Sequence, residues 1–181
     1  MKTESKLFLY STFLIFSILF FDSLIILGQP MPYIEKQGES FILPLSNSKM
    51  CHASTIVELS NGDIMAAWFE GSYEGAKDVS IYSSIFHNHQ WSTPICLVVG
   101  IDHLKHNQNT PDTFACWNPV LFKAPDQTIY LYYKVGKSPR EWWSEYICSK
   151  DDGKTWNSPT RLTHQLGPVK NKPLVTSSGT W

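Results

Sequence analysis

Ser149-Lys150-Asp151-Asp152-Gly153-Lys154-Thr155-Trp156 is the stretch on which the fold turns. The short oxygen-bearing side chains at 149 and 151 can bond nearby backbone amides. Gly153 supplies a position with positive φ, and Trp156 brings a broad ring to bury between sheets. Such a string closes a turn between two strands, and its job is structural. Sliding the sequence over itself by 65 positions lays residues 51–97 on residues 116–162 without a gap, matching Cys51 with Cys116, Trp91 with Trp156 and Pro94 with Pro159. The chain is therefore built of repeats.

Within the first copy, apolar stretches 52–59 and 64–69 flank Ser60-Asn61-Gly62-Asp63, where Asn-Gly signals a tight hairpin turn. Stretches 79–86 and 92–99 complete four short strands, and 117–123, 128–133, 144–150 and 156–162 repeat them in the second copy. Four strands per repeat define a propeller blade, and the fold class is all-β. A propeller closes with roughly 4 to 8 blades. This chain holds one blade over 51–99, a second over 116–162 and the start of a third over 168–181, which ends in the turn Ser177-Ser178-Gly179-Thr180-Trp181. The expectation is a partial β-propeller of two four-stranded blades plus the start of a third. Strands that alternate up and down put turns one and three at one end. Loop two and the inter-blade link fall at the other, so residues 71–77, the stretch before Trp117, residues 135–143 and residues 164–171 gather there. Loops on a rigid scaffold are where sites sit, so the site is expected at that end. The string that matches 149–156 in the first copy is 84–91, with Asn88 in the glycine's place, and reads as a decayed form of the same turn.

A length of 181 residues is enough for one domain with a real core. Charged residues make up 17%, below the roughly 25% usual in soluble domains, and the net charge of -1 excludes a nucleic-acid partner. Lys2 and Lys6 followed by an apolar run over 7–21, then Asp22 and a short run to Gly28, have the layout of a secretory signal over 1–28. The alternative is an uncleaved anchor over 7–27, against which Asp22 argues, and only then is a membrane involved. Either way the chain is expected to be secreted or to face the secretory lumen. Residues 29–50 form an N-terminal extended segment. Cys51, Cys96, Cys116 and Cys148 allow three pairings, among which the sequence does not choose. His87-x-His89 and His103-x-x-His106 have metal-compatible spacing but no cysteine or carboxylate partners, so neither a metal nor a cofactor is expected.

The S-x-D-x-G-x-T-W string resembles the Asp box of sialidase-type propellers. Together with Cys51-His52-Ala53-Ser54-Thr55, Gly62-Asp63, Glu74-Gly75-Ala76-Lys77-Asp78, Trp117-Asn118-Pro119 and Gly167-Pro168-Val169-Lys170-Asn171-Lys172-Pro173, it makes residues 41–181 resemble the N-terminal portion of a sialidase-superfamily (BNR repeat) protein. The resemblance implies a six-bladed parent ring and a glycan partner. It also implies an acidic general acid/base on the second loop of the first blade, a tyrosine nucleophile with its glutamate, and three arginines on the substrate carboxylate. On that loop Glu74 is the first choice for the acid, with Asp78 and Glu70 behind it. His52 stands where the first arginine would be, and the chain has only Arg140 and Arg161, so the arginine grip is not met. Candidate sugar contacts are His52, Asn118, Trp117, Lys134, Lys170 and Lys172. The expected function is that of a truncated sialidase-like glycoside hydrolase acting on terminal sugars, inactive as a fragment. The alternative is a non-catalytic carbohydrate-binding or interaction propeller.

Overall fold

The computed structural model describes residues 39–42, 50–102, 104 and 112–181. The leader, most of the extended segment, His103 and His106 lie outside the described residues. Nine strands are present and no helix among the described residues: β1 (Met50–Glu58), β2 (Ile64–Gly71), β3 (Ser80–His87), β4 (Gln90–Trp91), β5 (Ile95–Ile101), β6 (Thr113–Lys123), β7 (Ile129–Gly136), β8 (Trp143–Ser149) and β9 (Thr160–Leu162). All pairings are antiparallel. The first blade runs β1-β2-β3-β5 and the second β6-β7-β8-β9, with β4 turning back on β3. The two blades are joined where Gly100 and Ile101 of β5 pair with Phe114 and Thr113 of β6.

The second strand of each blade is buried on both faces, which is why it reads as an unbroken apolar run. Val57, Met65, Ala67, Phe69 and Ile81 of the first blade meet Cys116, Leu121, Leu131, Tyr133 and Val135 of the second in one core. Thr55 Oγ1 also accepts the Leu121 amide at 3.2 Å. The pairing Ile56 with Ala66 recurs as Leu121 with Leu131. Leu121 is fully buried, whereas Ile56 is 55% exposed, because it faces away from the second blade.

Both inner strands carry a β-bulge at the same repeat position, 53–54 opposite Trp68 and 118–119 opposite Tyr133, with Ala53 at φ 54° and Asn118 at φ 42°. Pro119, which has no amide to donate, fits the bulged position. A bulge re-aims the strand entrance, here at the end where loop two lies. An identical insertion in both copies leaves no trace in a self-alignment.

The Asp box is closed by its own side chains. Ser149 Oγ donates to Asp151 Oδ1 (2.7 Å) and accepts the Gly153 amide (2.8 Å), while Asp151 accepts the Thr155 amide (2.9 Å) and hydroxyl (2.6 Å). Gly153 sits at φ 79°, and Trp156 Nε1 donates to its carbonyl at 3.1 Å. A β-carbon at 153 would meet Met65 Cε at 2.1 Å, so the glycine also lets the blades approach. Asp152 accepts both the amide (3.1 Å) and hydroxyl (2.9 Å) of Ser60, tying this turn to the Asn61-Gly62 turn at the same end.

The bond from the Thr155 hydroxyl, followed by that from its amide, holds the Asp151 carboxyl down at about 2. Its folded value lies below its unfolded one, so its contribution is present above the ordinary carboxylate range and is lost as pH falls through 2. Asp151→Asn is therefore expected to lower Tm at pH 7, with the gap to wild type closing as pH approaches 2. Thermal melts across that range would show it.

The third turn of the first blade is not an Asp box. Asn88 and His89 both have positive φ (48° and 63°), and Phe86 pairs with Trp91 and His87 with Gln90. This is a two-residue hairpin turn of the kind that matches strand twist. Loop two is longer by two residues in the first blade (Glu70 pairs Ser80, against Val135 with Trp143), and turn three is shorter by the same amount (Ser83 pairs Ile95, against Tyr146 with Thr160). The two changes cancel, which is why the 65-residue self-match has no gap although β3 is displaced within it.

After β9 no further strand is present among the described residues. Residues 176–180 form a turn (Thr176 amide to Thr180 carbonyl, 2.8 Å; Gly179 at φ 81°), and Trp181 packs on Phe122 and Tyr130.

Candidate functional site

Among the described residues, two cavities reach the loop-two end. The first, of about 450 Å³, is enclosed by residues 40–42, residues 51–54 at the entrance of β1, and Trp68 and Glu70 at the close of β2. Trp91 Nε1 donates to Ser40 Oγ at 3.1 Å, which anchors the 40–42 segment over the sheet. Glu70 is only 2% exposed. One carboxylate oxygen accepts Trp68 Nε1 at 2.6 Å, and the other has no hydrogen-bond partner among the described residues. The His52 ring stacks on Phe69 with centroids 5.7 Å apart. The bulge at Ala53 is what turns residues 52–54 into the cavity wall.

The second cavity, of about 500 Å³, lies between Gly75 and Lys77 of the first blade, residues 112–115 of the link, and Lys137, Glu141 and Trp143 of the second blade. Asp102 closes its floor and binds Arg161 Nη1 at 3.2 Å, while the guanidinium lies 4.1 Å over the Trp143 ring.

Of the residues that the sequence nominated, the structure brings His52 and Glu70 together and disperses the rest. Glu74 is exposed and lines neither cavity. Asp78 accepts the Ser72 amide (3.1 Å) and hydroxyl (2.9 Å), closing the base of the loop. Trp117 is buried: its Nε1 donates to the Gly136 carbonyl at 2.9 Å, and its ring packs against Phe69 and Trp142. Asn118 sits half-buried in the second bulge. Lys134 is fully buried, its Nζ donating to the carbonyls of Leu166 (2.7 Å) and Pro168 (2.6 Å). Lys172 Nζ donates to the Ile56 carbonyl, and Lys170 is exposed.

Trp68 and Cys51 were not singled out from the sequence. The signal that could have found them is strand pairing: Cys51 lies opposite Glu70 in the β1–β2 register, and Trp68 is two residues before Glu70 on the same face.

A second buried carboxylate, Glu145, accepts the Tyr133 hydroxyl (3.1 Å) and Trp143 Nε1 (2.7 Å). Burial first, and the Glu145 charge second, push the Tyr133 phenol far up. This tyrosine–glutamate pair is sealed in the core and lines neither cavity. All four cysteines are free thiols, and burial pushes the Cys116 thiol up. No cluster of metal-ligating side chains occurs among the described residues, where His87 instead pairs with Asp63 at 2.8 Å.

Two four-stranded antiparallel blades packed face to face, one carrying a complete Asp box, define an all-β partial propeller of the sialidase type. The chain belongs to the BNR repeat-like domain family, which matches residues 62–181. Among solved structures it is similar to a protein of unknown function from Dyadobacter fermentans DSM 18053, at 12% identity and TM-score 0.55 over 76% of this chain and 46% of that one. It is also similar to the Hadza microbial sialidase Hz136, at 13% identity and TM-score 0.50 over 64% of this chain and 26% of that one. The chain thus spans less than half the length of either structure. No curated protein matches the sequence.

Proposed function

We propose that the whole protein is a secreted, sialidase-like glycoside hydrolase that acts on the terminal sugar of a glycan, with the Glu70 cavity as the place where that sugar is held. The observation that carries this reading is the state of Glu70: a carboxylate buried to 2% exposure, fixed through one oxygen by Trp68, its other oxygen left without a partner among the described residues beside an open cavity. A general acid must reach the glycosidic oxygen and be held in a low-dielectric setting. Glu70 has that setting, whereas Glu74 is solvated and Asp78 is engaged by Ser72.

The reading is tested by turnover of aryl glycosides with Glu70→Gln, Glu74→Gln and Asp78→Asn variants of the whole protein. Glu70→Gln is expected to lower kcat by roughly 100-fold or more. A loss confined to Glu74→Gln or Asp78→Asn would return the acid to the loop.

A specific observation favours carbohydrate binding without hydrolysis as a second reading. No arginine lines either cavity: Arg161 is held by Asp102 and Trp143, and Arg140 is exposed on a second-blade loop. On that reading Glu70→Gln weakens sugar binding, and the wild-type protein turns over no glycoside.

A further inference from the structure

We infer that Asn61 is a site of spontaneous covalent modification, where the side-chain amide is lost as ammonia, and that Asp63, itself held by His87, sets the rate of that loss. Asn61 and Gly62 are exposed at the first hairpin turn, and no atom of the described residues lies within 4 Å of a β-carbon built at Gly62. With no side chain of its own, the glycine leaves its nitrogen open to the side-chain carbonyl that precedes it.

The step needs nothing but water. The Gly62 nitrogen attacks Asn61 Cγ, and the N–Cγ bond forms as the Cγ–Nδ2 bond breaks. Ammonia departs with the hydrogen that the Gly62 nitrogen gives up, and a five-membered succinimide remains. Water then opens the ring. Attack at the side-chain carbonyl gives aspartate, whereas attack at the main-chain carbonyl gives isoaspartate, in which the backbone runs through the side chain.

The folded turn opposes the first step through bonds rather than bulk. The Gly62 amide donates to the Leu59 carbonyl at 3.1 Å. Asn61 Oδ1 accepts the Asp63 amide at 3.1 Å, and Asn61 Nδ2 donates to Asp63 Oδ2 at 2.7 Å. The carboxamide is thus turned towards residue 63 through both of its polar atoms, and it must release both to bring Cγ to the Gly62 nitrogen. Asp63 is kept in place from β3, where His87 Nδ1 lies 2.8 and 3.0 Å from its two oxygens. Reaction therefore proceeds from the molecules in which the turn has opened, and each bond that must break lowers their fraction.

The position of the product gives the step its consequence. Aspartate at 61 sets a second carboxylate where Asp63 had a donor, and isoaspartate lengthens the main chain of a tight turn. Ser60, one residue earlier, bonds Asp152 through its amide and hydroxyl and ties this turn to the Asp box. Modification is expected to loosen that tie between the blades.

The full chain is incubated at pH 7 in heavy-oxygen water, folded or unfolded in urea, and the loss of Asn61 is followed by peptide mass spectrometry. Folded wild type is expected to react about 10- to 100-fold more slowly than the unfolded chain. Asp63→Ala is expected to raise the folded rate by about five-fold, and His87→Gln, at an exposed position, by about two-fold. Gly62→Ala is expected to slow the unfolded chain as well, because its methyl group hinders the attack. Denaturant titration establishes which variants are folded, and should Asp63→Ala fail to fold, His87→Gln alone decides. Equal rates in folded and unfolded wild type, or no reaction in the folded protein, would overturn the inference. So would a rate no higher than wild type in either folded variant, or an unfolded Gly62→Ala chain that reacts as fast as unfolded wild type.

Discussion

Gly100→Ala is expected to destabilise the protein by about 2–4 kcal/mol, a fall in Tm of roughly 5–10 °C. Gly100 does not occupy a left-handed conformation, so backbone freedom is not the reason for the glycine. The reason is close approach. A β-carbon at this position would lie 2.2 Å from the Phe114 carbonyl oxygen, 3.1 Å from its carbon and 3.2 Å from Val135 Cγ1. The first two are backbone atoms of the strand that Gly100 itself pairs with, in the two-residue ladder that joins the blades. Moving Phe114 aside therefore pulls on the entrance of β6 and on the core contacts of Ala115 and Cys116 behind it. Relief by rotating a side chain is not open here, unlike at Gly153, where the obstructing atom is the end of the flexible Met65 side chain.

Gly62→Ala is the control. Nothing lies within 4 Å of a β-carbon there, and φ is 85°, so only left-handed strain of about 1–2 kcal/mol applies. Equal melting temperatures for the two variants would show that the blades can part at the link without cost.

The architecture was legible because its signals are local and repeated. Asn61-Gly62 announces a hairpin, the Ser149–Trp156 string announces a turn closed by its own side chains, and a constant 65-residue offset announces equivalent units. What stayed hidden depends on cancellation or on partners that leave no mark in the side-chain sequence. The two-residue excess of loop two in the first blade and the matching deficit at Asn88-His89 offset one another, so an ungapped alignment reads a decayed Asp box where a tight hairpin stands. Both bulges fall at equivalent positions and vanish from the comparison for the same reason.

The site was half legible. His52 and Glu70 belong to neighbouring strands at the expected end, and the structure joins them in one cavity. Glu74 drew attention as the mid-loop carboxylate, yet a position in a loop says nothing about which way a side chain is aimed. Glu70 reads as an ordinary strand end until the register sets it beside Cys51, with the Trp68 indole on its carboxylate. Lys134 was hidden most completely. Its partners are two main-chain carbonyls more than thirty residues downstream, and carbonyls belong to every residue.

Lys134→Met carries the second large effect, visible in its dependence on pH. The lysine side chain is fully buried, and burial holds its ammonium down to about 8 from an ordinary value of 10.5. Between those two pH values the unfolded chain keeps a proton that the folded chain has given up. Stability contributed by this group therefore rises with pH, by about 1.4 kcal/mol per unit and on the order of 3 kcal/mol across the window. The Leu166 and Pro168 carbonyls favour the charged form, which makes that figure an upper bound. Methionine fills a similar volume, does not titrate, and leaves the Pro168 carbonyl without this donor, while Leu166 keeps the Ser144 hydroxyl.

At pH 7 the lost charge-assisted bonds outweigh the relief of a buried charge, and the variant is expected to be less stable by on the order of 1–2 kcal/mol. By pH 10 the gap should widen, because wild type has shed the burial penalty and the variant had none to shed. Burial also pushes up the phenols of Tyr130, Tyr132 and Tyr133 and the thiol of Cys116. Those groups cost stability as pH rises through their unfolded values, but they do so in both proteins and cancel in the difference. Denaturant titrations of the two proteins side by side at pH 7, 8, 9 and 10 measure that difference directly. A gap that stays constant would mean that Lys134 keeps its proton throughout, and that the two carbonyls hold it more firmly than burial expels it.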